Sequence, residues 1–257
     1  MSRFVKVVIA STLAGAVLFG GSAIARSTGP VKNVVLIHGA FADGSSWSKV
    51  IPLLQAKGLQ VTSVGIPLTS FADDVAATKR AIGIQDGPVL LVGHSYGGVV
   101  ITEAGNDAKV AGLVYVAAFT PDVGQTIPEL GAAFPKAPGL EKLVSMPDGF
   151  LMISPEGVDT AFAQDLTKEE KAMILAVQPQ TSGTLFGAKP TTAAWRSKPN
   201  WYIVTSNDKM IVPEHQKSMA KQINAKTTIL ESSHVPMLSR PKEVAKVIED
   251  AVADLQK

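Results

Sequence analysis

Ser95 stands between two glycines in Gly93-His94-Ser95-Tyr96-Gly97, directly after the strand-forming run that starts at Val89 and directly before a run of small residues. Glycine and serine together describe many ordinary turns. Between a strand and a helix the same five residues describe a sharp elbow that lifts a serine hydroxyl clear of the backbone. Positions 93 and 97 must then be glycine, because side chains there would collide. A serine hydroxyl is a weak nucleophile at neutral pH and needs an imidazole to take its proton. The imidazole in turn needs a buried acid that fixes its tautomer.

Of the four histidines, His234 in Glu231-Ser-Ser-His-Val lies just past the last strand-forming run, near the C-terminus. His38 precedes Gly39 in the first loop, His94 is part of the elbow, and His215 falls inside a helical stretch, so His234 is the candidate base. Asp208 closes the preceding strand, in Val204-Thr-Ser-Asn-Asp-Lys, and is the candidate acid; Asp122, after the strand that ends at Phe119, is the alternative. An oxyanion formed by attack on a carbonyl needs two backbone N–H donors. Tyr96, the residue after the nucleophile, would supply one. The loop His38-Gly-Ala-Phe-Ala would supply the other, from Ala40 in preference to Phe41.

These residues need a scaffold that brings strand ends together. From Val31 the chain alternates short, continuously apolar runs with helical ones, the pattern of a parallel sheet covered on both faces. Strands are expected at Val31–Gly39, Leu59–Ile66, Gly87–Gly93, Lys109–Phe119, Asn200–Lys209 and Lys226–Ser232. Ligand sites in such sheets lie at the carboxyl ends of the strands. Trp47, Val50, Ile51 and Leu54 share a helical face, with Pro52 forcing a bend or a late start. Ser70 and Asp73 read as a capping box that opens the next helix. Val244, Val247, Ile248, Val252 and Leu255 line one face of the closing helix. Between Pro121 and Trp195 the rhythm breaks into Pro, Gly, isolated aromatics and short pieces, among them a helix at Thr167–Val177 and a strand at Gly149–Ser154. A stretch that long inside a compact α/β domain predicts a cap over the site.

The composition of the 257 residues, 46% hydrophobic and 18% charged, is that of a globular chain with one core, and no repeat or block of like charge suggests a nucleic-acid partner. Residues 1–25 stand apart. A basic start with Arg3 and Lys6 leads into an uncharged apolar run and then Ala23-Ile-Ala25, the signature of a secretory signal cleaved after Ala25. The apolar run is short for a membrane span, which favours removal over retention as an anchor. Cleavage removes two basic residues and no acid, so the formal charge of +2 falls to zero. The mature unit is then 26–257, periplasmic or secreted, with no stable membrane partner. With no cysteine it has neither disulfides nor thiolate chemistry. No metal-ligand cluster, P-loop or dinucleotide fingerprint is present, so no cofactor is expected.

The order Ser95, Asp208, His234 is the one found in α/β-hydrolases. The motifs Leu36-Ile-His-Gly-Ala-Phe-Ala-Asp-Gly, Leu91-Val-Gly-His-Ser-Tyr-Gly-Gly, Val114-Tyr-Val-Ala-Ala-Phe-Thr-Pro-Asp, Ser206-Asn-Asp-Lys and Ser232-Ser-His-Val-Pro-Met together resemble that superfamily. They resemble in particular the branch of small esterases that includes plant methyl-salicylate esterases and hydroxynitrile lyases. The resemblance runs from Val31 to the C-terminus and is weak across the cap. It implies an α/β-hydrolase fold, Ser95, Asp208 and His234 as the triad, and Ala40 and Tyr96 as oxyanion donors. The lyases carry a lysine after the histidine and a threonine in the oxyanion loop; here Val235 and Gly39 occupy those places, which favours hydrolysis.

The activity expected is therefore carboxylic-ester hydrolysis on small, mainly neutral esters with an apolar acyl or aryl part. Phe41, Phe119, Phe134, Phe150, Phe186, Trp195, Met210 and Met237 are candidate pocket walls. The alternatives are a homologue that binds a ligand without turning it over, and lactonase or perhydrolase chemistry on the same triad.

Overall fold

A computed structural model describes residues 29–257, so the signal reading at 1–25 lies outside the described residues. Four strands come first: β1 (Asn33–Ile37), β2 (Gln60–Val64), β3 (Val89–His94) and β4 (Val110–Val116). Helices α1 (Ile51–Gln55), α2 (Phe71–Gly83) and α3 (Gly97–Ala104) connect them. An excursion follows, holding α4 (Ile127–Gly131), three short strands β5 (Leu143–Ser145), β6 (Phe150–Ile153) and β7 (Thr181–Ser182), and helices α5 (Pro155–Gly157) and α6 (Lys168–Val177). The chain then returns through β8 (Asn200–Thr205), α7 (Pro213–Gln222), β9 (Lys226–Leu230), α8 (Pro236–Ser239) and α9 (Pro241–Asp254).

The main sheet has six strands in the order β2-β1-β3-β4-β8-β9, and every pairing in it is parallel. Every residue of β1, β3 and β8 is buried, as continuously apolar runs require when both faces are covered. The helix pairs α2 with α3 and α1 with α9 provide that cover. The edge strands β2 and β9 carry the exposed polar positions Gln60, Lys226 and Thr227. Because all six strands run the same way, the chain segments after β1, β3, β8 and β9 emerge along one edge.

Several local expectations are met with adjustments that have physical causes. The first helix starts late: a 3-10 turn at Gly44–Trp47 comes first and α1 begins only at Ile51, with Pro52 in its first turn, where the missing N–H costs nothing. Ser70 caps α2 by accepting the Asp73 N–H at 3.1 Å. The helix expected near Thr167 is α6, closed by a reciprocal capping box between Thr167 and Glu170. The expected strand at 149–154 is β6, but it pairs antiparallel with β5 and β7 in a separate three-stranded sheet.

The elbow is packed directly against backbone. A Cβ on Gly93 would lie 2.6 Å from the Gly97 carbonyl oxygen, and one on Gly98 only 2.3 Å from the Phe119 carbonyl oxygen. The clash at Gly98 is with backbone, which no rotamer change relieves. Gly98→Ala should therefore cost about 3 kcal/mol or more of unfolding free energy, as overpacking a rigid contact does; urea melts of the variant read this directly, and a change within 0.5 kcal/mol would contradict the packing.

Candidate active site

β3 delivers Ser95 in a strained conformation. Its φ of 52° lies in the left-handed region, and its N–H and carbonyl are held by Val116 O at 3.2 Å and Phe119 N at 3.2 Å. Such strain persists only where surrounding contacts fix it, and it clusters at functional sites. Ser95 Oγ lies 2.9 Å from Nε2 of His234, which arrives on the loop after β9. On the other side of that ring, Nδ1 lies 2.7 Å from Oδ2 of Asp208, in the loop after β8. The three side chains predicted to meet do so, and all three are buried.

Asp208 is held by more than the histidine. Its Oδ1 accepts the N–H groups of Met210 at 2.7 Å and Ile211 at 3.0 Å; its Oδ2 also accepts Gln216 Nε2 at 2.8 Å and Thr205 Oγ1 at 2.9 Å. Both carboxylate oxygens are thus surrounded by donors besides the histidine, which fixes the orientation of the acid. Gln216 and Thr205 were not singled out from sequence. A polar pair eleven residues apart signals nothing until α7 folds back on the end of β8. Asp122, the alternative acid, is elsewhere: it pairs with the Arg196 guanidinium, which holds its carboxyl below the usual range.

His94 and His38 are structural. His94 Nε2 lies 2.8 Å from the His234 carbonyl oxygen, and complete burial drives its pKa well down, so the neutral ring donates there and fixes the backbone of the candidate base. His38 spans its loop: Nδ1 lies 2.9 Å from Gly39 O and Nε2 accepts the Ile66 N–H at 3.1 Å. That assigns the proton to Nδ1. The Phe41 N–H is already taken by Thr181 Oγ1 at 3.1 Å, while Ala40 and Tyr96 have no acceptor for theirs among the described residues.

Ser95 and His234 open into a cavity of about 440 Å³ with a largely apolar lining. Ala40, Phe41, Phe119, Phe134, Phe186 and Met210 are among its walls. Phe41 and Phe186 stack at 6.4 Å, and Phe162, not foreseen, sets its edge against the His234 ring at 5.3 Å. Three expected walls do not line it. Trp195 is turned away by its indole N–H, which donates to Pro121 O at 3.0 Å, and lies under Arg196. Met237 is fully buried on α8, and Phe150 lies on β6 outside the cavity. His215, read as a helical residue without a role, stands at the start of α7 and joins the lining, stacked on Phe134 at 4.6 Å; burial lowers its pKa. Lys136 is the lone lysine among the lining residues and faces Glu141 at 3.8 Å. No group of acidic, histidine or cysteine side chains suited to a metal occurs among the described residues.

The family model described as "Alpha/beta hydrolase family" matches residues 34–247. Among curated relatives, methylesterase 7 of Arabidopsis thaliana is 27% identical over 249 residues, covering 84% of this chain and 95% of the relative. Polyneuridine aldehyde esterase of Rauvolfia serpentina is 26% identical over 258 residues, covering 85% and 95%. Among solved structures, a pyrethroid hydrolase from Sphingobium faniae JZ-2 superposes with a TM-score of 0.75 at 24% identity, covering 87% of this chain and 98% of that one. At that identity the superposition speaks for the fold.

Proposed function

The chain belongs to the alpha/beta hydrolase family, and from that premise we propose that it is a serine carboxylic-ester hydrolase working through an acyl-enzyme. The observation that carries this reading is the unbroken line from Asp208 through His234 to Ser95, with contacts of 2.7 Å and 2.9 Å, at the head of an apolar cavity. Esterases among its relatives support the class of reaction.

In the proposed sequence Ser95 Oγ attacks the ester carbonyl carbon while His234 Nε2 takes the hydroxyl proton. Asp208 holds the proton on Nδ1, so that Nε2 is the lone pair facing the serine, and stabilises the imidazolium that forms. The carbonyl oxygen becomes an oxyanion beside the N–H groups of Ala40 and Tyr96. The tetrahedral adduct collapses as His234 gives its proton to the departing alcohol. Water then loses a proton to His234, attacks the acyl carbonyl, and releases the acid and Ser95.

The substrates proposed are small neutral esters, because the cavity is apolar and its one lysine has a carboxylate partner. The excursion between β4 and β8 acts as the cap. Hydrolysis is preferred to a lyase reaction for a steric reason as well: a Cβ at Gly39 would lie 2.7 Å from the Ser95 Cβ, so a threonine has no room there. Val235, next to the base, brings no cation. The signal reading completes the proposal. Protein recovered from a bacterial periplasm or medium should begin at Arg26, which N-terminal sequencing checks.

The chemistry is tested with a fluorophosphonate probe. Peptide mass mapping should place the label on Ser95, and His234→Ala should abolish it. Label elsewhere, or none with native protein, would reduce the chain to a binding homologue.

A further inference from the structure

Tyr96 follows the nucleophile, yet its ring does not line the cavity; it is fully buried behind the elbow. A phenylalanine would fill that volume, so the hydroxyl needs a reason, since a buried O–H without a partner is costly. Its partner is Asp74, in the first turn of α2: Tyr96 Oη donates to Asp74 Oδ2 at 2.8 Å. Burial and the carboxylate push the phenol pKa up, so it stays a donor. Asp74 Oδ1 accepts the Leu68 N–H at 2.8 Å. Asp74 is itself fully buried and has no cationic partner among the described residues, and burial pushes its pKa up to about 6. Isolating a carboxylate in this way is unfavourable.

The second half of the connection runs through Leu68. Its φ of 57° is a strained setting for a side chain of that shape, and it is held there by the Asp74 bond on one side and by its carbonyl, which accepts the Ser182 N–H at 2.9 Å, on the other. Ser182 shares β7 with Thr181, whose Oγ1 accepts the N–H of Phe41, itself at a φ of 60° and adjacent to Ala40. The contacts thus form one chain from Tyr96 to Asp74, Leu68, β7, Phe41 and Ala40. Its two ends are the residues whose N–H groups lack acceptors among the described residues.

We infer that Asp74 is a positioning residue for the oxyanion site, one carboxylate that sets Tyr96 through one oxygen and, through Leu68 and β7, sets the loop of Ala40 with the other. This rests on the ester-hydrolase reading. It gives β7 a part in the chemistry although none of its side chains lines the cavity with Ser95. Donors that act only on the developing charge contribute to the transition state and not to substrate binding.

The test uses the purified full chain and the variants Tyr96→Phe, Thr181→Val and Asp74→Asn. Tyr96→Phe and Thr181→Val each remove one contact and keep the packing, so they answer the question even if Asp74→Asn fails to fold. Each should lower kcat for a p-nitrophenyl ester about tenfold and leave KM within about twofold, the pattern of an interaction made only in the transition state. A trifluoromethyl ketone, which adds Ser95 to give a stable oxyanion, should weaken by the same factor as kcat; the matching methyl ketone should bind unchanged. The Tyr96→Phe, Thr181→Val double variant should lose less than the product of the single losses, because both act on one connected unit. Unchanged kcat in both single variants, a rise in KM that accounts for the loss, or fully multiplicative losses would each overturn the inference. Fluorophosphonate labelling of native Ser95 separates the two levels. With labelling intact and kcat unmoved in the variants, the role of Asp74 alone fails; with no labelling of native protein, both fall together.

Discussion

Ser95→Ala is expected to lower kcat/KM for p-nitrophenyl acetate by about five decades, near the loss seen when a triad nucleophile is removed in other serine hydrolases, and to leave the fold in place. Only Oγ is deleted, and its hydrogen-bond partner is the His234 ring. The backbone at φ 52° is held by Val116 and Phe119 and not by the side chain, and alanine strains there no more than serine does. What survives is an apolar cavity with unpaired N–H groups that still bind and polarise an ester, so a small residual rate above water is expected. A purified variant with native circular dichroism and more than a hundredth of the parent activity would remove Ser95 from the mechanism.

Asp208→Asn is expected to cost about four decades in kcat with little change in KM. The direction of the amide follows from its neighbours. The N–H groups of Met210 and Ile211 converge on Oδ1 and demand an acceptor, so the carboxamide oxygen must take that place. The NH₂ group then faces His234 Nδ1, where it can only donate. The ring responds by carrying its proton on Nε2, and a protonated Nε2 cannot accept from Ser95. Nitrogen-15 shifts of His234 would show the change of tautomer, and the kinetics would show its cost. Asp122→Asn is the matched control: it breaks the surface pair with Arg196 and should leave kcat unchanged.

The inner strands β1, β3 and β8 were legible because each is a run buried on both faces, the edge strands β2 and β9 because they keep the alternation with helices, and Ser95, Asp208 and His234 because each follows a strand. What escaped was set by tertiary direction. Trp195 reads as a pocket aromatic until its indole N–H finds Pro121 O. His215 reads as an ordinary helix residue until the first turn of α7 faces the cavity. β7 has two residues and no periodicity to detect, and its place follows only from pairing with β6 and from bonds to residues more than a hundred positions away. Nothing in the sequence sets Asp74 apart from its neighbour Asp73, and what distinguishes it is a tyrosine hydroxyl across the fold.

β4 and β8 are neighbours in the sheet, paired from Leu113 with Asn200 to Val116 with Ile203. The sheet therefore completes its ladder without the residues strung between them, and those residues supply much of the cavity wall. Topologically the excursion is a cassette. Its length and composition can change without breaking a rung of that ladder, while the shape of the cavity changes with them. One rung limits that freedom: Thr181 and Ser182 must return to Phe41 and Leu68, so any exchanged cassette has to carry that pair in register.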